Sequence, residues 1–243
     1  MNITLLITAT ICPHKVNSNV YDVNIRKKQY KDSLEFFIIQ KNIGQIVLCE
    51  NNMFDFSEFS DLKSLANKYN KEIEFISFKG NYRMIQQRGK GYGEGELIKY
   101  AFKNSKLLRD SEYFIKITGR LKVKNISKII NGIYNNSVYM KMLSIRDTRR
   151  WIDTRFYCMP IKIYDEYFLD LYKKVEDSKN ETIEKIFYDT IIEKNLDIKD
   201  FCCLPNIVGI SGGTGGRYND NVIKYIIKNL LYKFKRYSVE NER

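Results

Sequence analysis

Strand-like and helix-like segments alternate along the first half of this chain, and no other feature narrows its fold so far. The opening run NITLLITATI is short, apolar and β-rich, and Cys12-Pro13 ends it. VNIRKKQYKDSLEFFIIQ follows with helical spacing, QIVLCENN is a strand with a polar tip, and SEFSDLKSLANKYN reads as a helix opened by a capping serine. EIEFISF, a helix over GELIKYAFKNSKLL, the strand SEYFIKITGR and the helix SKIINGIYN continue the pattern. Alternation of this kind predicts an α/β fold: a mainly parallel central sheet flanked by helices, with ligand groups gathered at the carboxyl ends of its strands. Thr8 to Thr10, Glu50 to Asn52, Lys79 to Asn81 and Thr118 to Arg120 stand at those ends. The second half is less regular. SVYMKML and RFYCMPIKIY read as strands, ETIEKIFYDTIIEKN as a helix, and DFCCLPNIVGISGGTGG as a strand entering a flexible loop. No repeat or low-complexity linker divides the chain, so residues 1–243 are expected to form one domain.

Composition narrows the partners and the compartment. A hydrophobic content of 44% is enough for a well-filled core. No apolar run reaches the roughly 18 to 20 residues of a spanning helix, and MNITLLITAT lacks a basic start, so a cytoplasmic protein is expected. The five cysteines form no C-x-x-C pair, and the one histidine, His14, has no clustered partners; buried thiols in a reducing compartment are expected, with no structural metal. A formal charge of +12 fits an anionic partner: nucleic acid, a membrane face or a phosphorylated small molecule.

One stretch fits the last of these. RGKGYGEGELIKYAF, residues 88–102, sets four glycines ahead of a helix start, where bare backbone N–H groups suit a phosphate. A plain turn with a helix cap fits the same residues. In FIKITGR, alternation places Lys116, Thr118 and Arg120 on one side of the strand, opposite Ile115 and Ile117, as the wall of a site; Gly119 reads equally as a turn glycine chosen for its φ.

In their order of elements, the first 125 residues resemble the nucleotide-binding half of GT-A type glycosyltransferases. IRKKQYKDSLEFFI, IVLCENN, GKGYGEGELIKYAF, FIKITGRLKVKN and DTRFYCMPIKIYDEYF are more narrowly similar to segments of bacterial enzymes that assemble capsule and O-antigen (lipopolysaccharide) chains. The resemblance, which covers roughly residues 1–170, implies a nucleotide-sugar half over 1–125 and an acceptor half over 126–220; an amphipathic helix over 221–243 is read from spacing, as given below. The donor would meet Thr8, Ala9, Thr10, Arg26, Glu50 and Asn51, then Arg88, Gly89, Lys90, Gly91, Tyr92, Gly93 and Glu94, then Lys116, Thr118, Gly119 and Arg120, with Arg217 from a second glycine-rich loop.

GT-A enzymes usually hold a divalent metal on a D-x-D pair at the end of the fourth strand, and this chain has no D-x-D at all. The place reads KITGRLK, and cations there can stabilise a diphosphate leaving group directly, so no metal and no cofactor are expected. An inverting transfer needs a carboxylate base. Asp147, Asp153, Glu184 and Asp189 are the acids of the acceptor half; Asp153, beside Arg155, is the first choice and Glu184 the second.

At the C-terminus, NVIKYIIKNLLYKFKRYS gathers Ile223, Ile226, Ile227, Leu230, Leu231 and Phe234 on one helical stripe. That stripe would pack on the domain, or would lie on a membrane with Tyr232 and Tyr237 near the headgroups and with Lys224, Lys228, Lys235 and Arg236 drawn to anionic lipid. The expected partners are therefore a nucleotide-sugar donor, a saccharide acceptor held on lipid and an anionic membrane surface. A sugar nucleotidyltransferase and a basic nucleic-acid-binding protein are the alternatives. The first would carry a glycine-rich basic loop where this chain has ICPHKVNSN, and the second would expose aromatics that here follow core spacing.

Overall fold

The computed structural model describes residues 2–13, 22–134, 137–142, 151–211, 215–219 and 221–234. His14, Asp147, Lys235, Arg236, Tyr237 and two glycines of the second loop, Gly212 and Gly213, lie outside the described residues. In chain order, β1 (Ile3–Ala9) leads to α1 (Val23–Ile38), where the Asp22 carboxylate accepts from the N–H groups of Asn24 and Ile25 at 2.8 and 3.0 Å. Then come β2 (Gln45–Glu50), a 3-10 turn at Phe56–Phe59, α2 (Ser60–Lys68) and β3 (Glu72–Ser77). Ser57 does not cap that segment: Asp55 accepts its N–H at 2.9 Å. Next are α3 (Tyr82–Arg88), α4 (Lys90–Asn104), α5 (Lys106–Arg109), β4 (Tyr113–Thr118), β5 (Leu121–Val123) and α6 (Ile126–Asn131). The second half holds β6 (Val138–Met142), β7 (Ile152–Pro160), α7 (Ile161–Ile163), α8 (Ile183–Glu193), β8 (Ile198–Lys199), β9 (Ile207–Ile210), β10 (Arg217–Tyr218) and α9 (Val222–Lys233).

Seven strands form one sheet in the order β3-β2-β1-β4-β7-β6-β8, and β10-β9-β5 form a small second sheet. The β3-β2-β1-β4 half is wholly parallel, while β7 runs against both β4 and β6. β1 lies inside the sheet between β2 and β4, with helices over both faces, which is why its apolar run is buried on both sides. Leu5, Ile7 and Ala9 join one core with α1, α2 and α6, and Leu6 joins the other with α4, α5 and α8. The expected α/β domain, with its mainly parallel sheet between helices, is the fold observed.

Two further local expectations fail. RFYCMPIKIY is a strand only as far as Pro160; IKI turns helical and passes into a single π turn at Tyr164–Phe168. The glycines of residues 88–102 do not form a loop. Gly91, Gly93 and Gly95 lie inside α4, and only Gly89, at φ 111°, makes the break between α3 and α4. Those helical glycines serve packing: a Cβ on Gly95 would stand 2.1 Å from Tyr172 Cβ, and one on Gly91 would stand 3.0 Å from Ile183 Cβ.

Candidate functional site

A cleft of about 470 Å³ opens at the carboxyl ends of β1 to β4, the place that the strand order predicts for a ligand. Thr8, Ala9 and Thr10 from β1, Asn51 after β2, and Thr118 and Arg120 after β4 form its floor. Lys90, Gly91, Gly93 and Glu94 from α4 and Glu184 from α8 form the facing wall, and Arg155 and Tyr218 close the rim.

Two guanidinium groups stand on the sheet side. Arg26, one turn before Tyr30 on α1, donates from Nε to the Thr10 carbonyl at 3.0 Å, and Tyr30 Oη accepts the Thr10 N–H at 3.0 Å. Arg120 donates to Gln29 Oε1 at 3.0 Å. Both arginines are almost wholly buried yet line the cleft. Burial lowers the Arg120 pKa, Tyr30 partly offsets this, and the charge of Arg26 adds to the lowering; the two guanidinium groups stand side by side on the pocket floor. Gly119 allows this approach. Its N–H donates to the Thr8 carbonyl at 2.9 Å, and an added Cβ would stand 2.2 Å from that oxygen; close packing, not a positive φ, selects the glycine.

Opposite the arginines, one carboxylate is fixed by three donors. Glu94 Oε1 accepts from Lys116 Nζ at 2.5 Å and from the hydroxyls of Thr8 and Thr118 at 3.2 Å each. Lys116 is wholly buried and also donates to the Thr154 carbonyl at 2.8 Å. The alternation in FIKIT is therefore real: Lys116 and Thr118 share a face, 3.0 Å apart, but that lysine is a strut behind the cleft. Glu184 accepts from Thr154 Oγ1 at 3.0 Å, and its burial raises its pKa.

Other candidates lie outside this lining. Glu50 is spent on backbone: Oε1 takes the Ile11 N–H at 3.0 Å, and Oε2 takes those of Asn52 and Phe54 at 2.7 and 3.1 Å. Arg88 donates to the Lys173 carbonyl, and Tyr92 packs edge-on against Tyr172. At the start of α4 the anion is the protein's own: Asp177 Oδ2 accepts the Lys90 N–H at 3.1 Å, and a Cβ on Gly89 would strike that oxygen. Arg217 is exposed, since alternation along β10 turns Tyr218 to the cleft instead.

Asp153 stands behind Arg155 and is 1% exposed. Its Oδ1 accepts from Arg155 Nε at 2.9 Å, and its Oδ2 accepts from Arg155 Nη2 at 2.6 Å and Lys141 Nζ at 2.9 Å. Burial alone would raise its pKa, but Arg155 and Lys141 more than offset that and hold it well below the usual carboxylate range. Arg155 in turn lies over the Tyr218 ring at 4.9 Å. Tyr30, Thr154, Asp177 and Tyr218 are site residues that the sequence reading missed; Tyr30, one turn beyond Arg26 on the same helical face, carried a readable signal.

At the end of β4, where a D-x-D pair would offer carboxylates to a divalent ion, Thr118, Gly119 and Arg120 offer none, and Lys116 already occupies the nearest acid. These residues do not fit a metal. Among the described residues no group of three or more His, Cys, Asp or Glu is placed to hold one.

Sheet order and cleft position define a GT-A-like fold. No protein-family model matches the chain, and no curated protein matches its sequence. Among solved structures it is similar to the glycosyltransferase GlyE of Streptococcus pneumoniae TIGR4, with a TM-score of 0.51 at 8% identity over 82% of this chain and 45% of that one. A mannosyltransferase of Pyrobaculum calidifontis, PcManGT, in complex with GDP-Man and Mn2+, aligns at a TM-score of 0.50 and 9% identity over 96% of this chain and 63% of that one. A 4-diphosphocytidyl-2C-methyl-D-erythritol synthase of Anaerococcus prevotii DSM 20548 also aligns, with a TM-score of 0.47 at 13% identity over 95% of this chain and 96% of that one. At identities this low, the likeness to GlyE and PcManGT shows a shared fold and nothing about substrates.

Proposed function

We propose that the protein is a glycosyltransferase that moves a sugar from a nucleoside-diphosphate donor to a saccharide hydroxyl. One observation carries this reading: two buried arginines, Arg26 and Arg120, converge on a cleft at the strand ends, where a donor diphosphate would be neutralised without a metal ion. Residues 1–125 supply the donor side and 126–220 the acceptor side. Glu94, with Oε1 fixed by three donors, is placed to receive a sugar hydroxyl on Oε2. Glu184 is the base, because its raised pKa brings proton affinity nearer to neutral pH in the cleft wall. The acceptor oxygen bonds to the anomeric carbon, the bond from that carbon to the diphosphate oxygen breaks, and the acceptor proton passes to Glu184. Asp153 acts by positioning Arg155. The segment resemblances support a growing, lipid-linked surface polysaccharide as acceptor, at the cytoplasmic face of the inner membrane.

The test is thermal melting of the purified protein with UDP, GDP and their sugars, with CMP and its sugar as the monophosphate comparison, whose selective stabilisation would overturn a diphosphate donor. One nucleotide series is expected to raise Tm; a ligand at 100 times its Kd adds about 2.7 kcal/mol of stability. Arg120→Gln should abolish that rise. No stabilisation by any nucleotide, or release of pyrophosphate from a nucleoside triphosphate mixed with a sugar phosphate, would overturn the reading, the latter in favour of a nucleotidyltransferase.

A further inference from the structure

The last described helix turns its polar side to the protein and its apolar side to solvent. Helix α9 is fixed through Tyr225, Asn229 and Tyr232. Tyr225 Oη donates to the Leu204 carbonyl at 2.9 Å, Asn229 Oδ1 accepts the Leu204 N–H at 2.9 Å, and Tyr232 Oη accepts the Phe201 N–H at 2.9 Å. Lys228 is buried on the same side. Helical spacing then carries Ile223, Ile226, Ile227, Leu230 and Phe234 to the opposite side, where they are 71, 50, 54, 49 and 72% exposed. The expectation that this stripe packs on the domain fails, and so does the placing of Tyr232 near headgroups: Tyr232 is the buried anchor.

We infer that this outward face docks on an anionic lipid bilayer. Residues 222–233 contain Lys224, Lys228 and Lys233 and no acid, and the spacing puts Lys224 and Lys233 along the two margins of the apolar stripe. An apolar face edged by lysine suits the boundary between acyl chains and phosphate headgroups. A second copy of this chain is the poorer occupant, because both partners would carry +12. The helix also starts close to the cleft. Its cap, Asn221, follows the cleft residue Tyr218 by three positions, at most about 11 Å of extended chain. Seating α9 on lipid therefore brings the cleft to the membrane surface, and this holds whatever reaction the cleft performs.

The experiment is co-sedimentation of the full chain with vesicles of phosphatidylcholine alone or mixed with phosphatidylglycerol. Binding to the anionic vesicles is expected, weakened in about 0.5 M salt. The paired substitution Ile226→Asp and Ile227→Asp, at exposed positions, should lower it about tenfold or more with an unchanged Tm and an unchanged nucleotide response. Three results would overturn the inference: no binding to anionic vesicles at low salt; equal binding by the paired variant, which would mean that scattered basic charge suffices; or a dimer in free solution that the paired variant splits, without vesicle binding.

Discussion

Asp153 and Glu184 stand in the same half of the chain, and their surroundings drive their pKa values in opposite directions. For Asp153 two cations outweigh burial and the value falls; for Glu184 burial prevails and it rises. The depressed value means that Asp153 stabilises the fold above the usual carboxylate range and loses that contribution as pH falls through its folded value. Asp153→Asn leaves Lys141 and Arg155 without their shared counter-charge, and the expected cost is on the order of 3 kcal/mol, read by denaturant unfolding. Glu184 has the opposite sign. Its folded state favours the proton, so ionisation at neutral pH opposes folding, and Glu184→Gln should be at least as stable as the parent. Turnover should decline in the parent as pH falls through the raised value, and the variant should lose about 100-fold and the acid limb with it. A Glu184→Gln enzyme with near-normal turnover would move the base elsewhere.

At the scale of elements, α4 shows why a glycine pattern misleads. Glycine inside a helix costs about 1 kcal/mol relative to alanine, so four glycines at its start read as a loop. The helix forms because it lies against the Tyr172 turn and α8, and only glycine permits that distance. Gly95→Ala would gain the propensity term but meet Tyr172 Cβ, an atom too near the backbone to swing away, and overpacking of this kind costs about 1 to 3 kcal/mol. The clash wins. With the two Cβ atoms only 2.1 Å apart the cost falls at the upper end, about 3 kcal/mol against about 1 gained, so a net loss near 2 kcal/mol is expected, or about 4 to 8 °C in Tm. Gly44→Ala, whose Cβ meets nothing within 4 Å, is the control and should stay within about 2 °C of the parent. A Gly95→Ala protein as stable as the parent would show that the contact is not limiting.

At the scale of the whole molecule, the cleft gathers charges of both signs, with Glu94, Asp177 and Glu184 facing the cations. Arg26, Arg120, Lys90 and Arg155 line it, and the place of a metal-binding carboxylate pair is held by Thr118 to Arg120. Donor turnover is therefore expected to persist in excess EDTA. Activity that EDTA abolishes and manganese restores would overturn the proposal of a metal-independent site. The order of strands and helices, and the placing of the cleft at the carboxyl ends of β1 to β4, were legible in the sequence, because hydrophobic period and turn residues act between neighbours along the chain. The same local logic put Thr118 and Arg120 at a strand end, and both line the cleft; Arg26, which lines it too, came only with the family resemblance. That logic could not find that Asp153 is locked behind Arg155 by Lys141, that Asp177 fills the start of α4, or that α9 turns its apolar face outward. Each of those depends on a partner distant in sequence, and nothing in a residue's own neighbourhood records which distant surface will cover it.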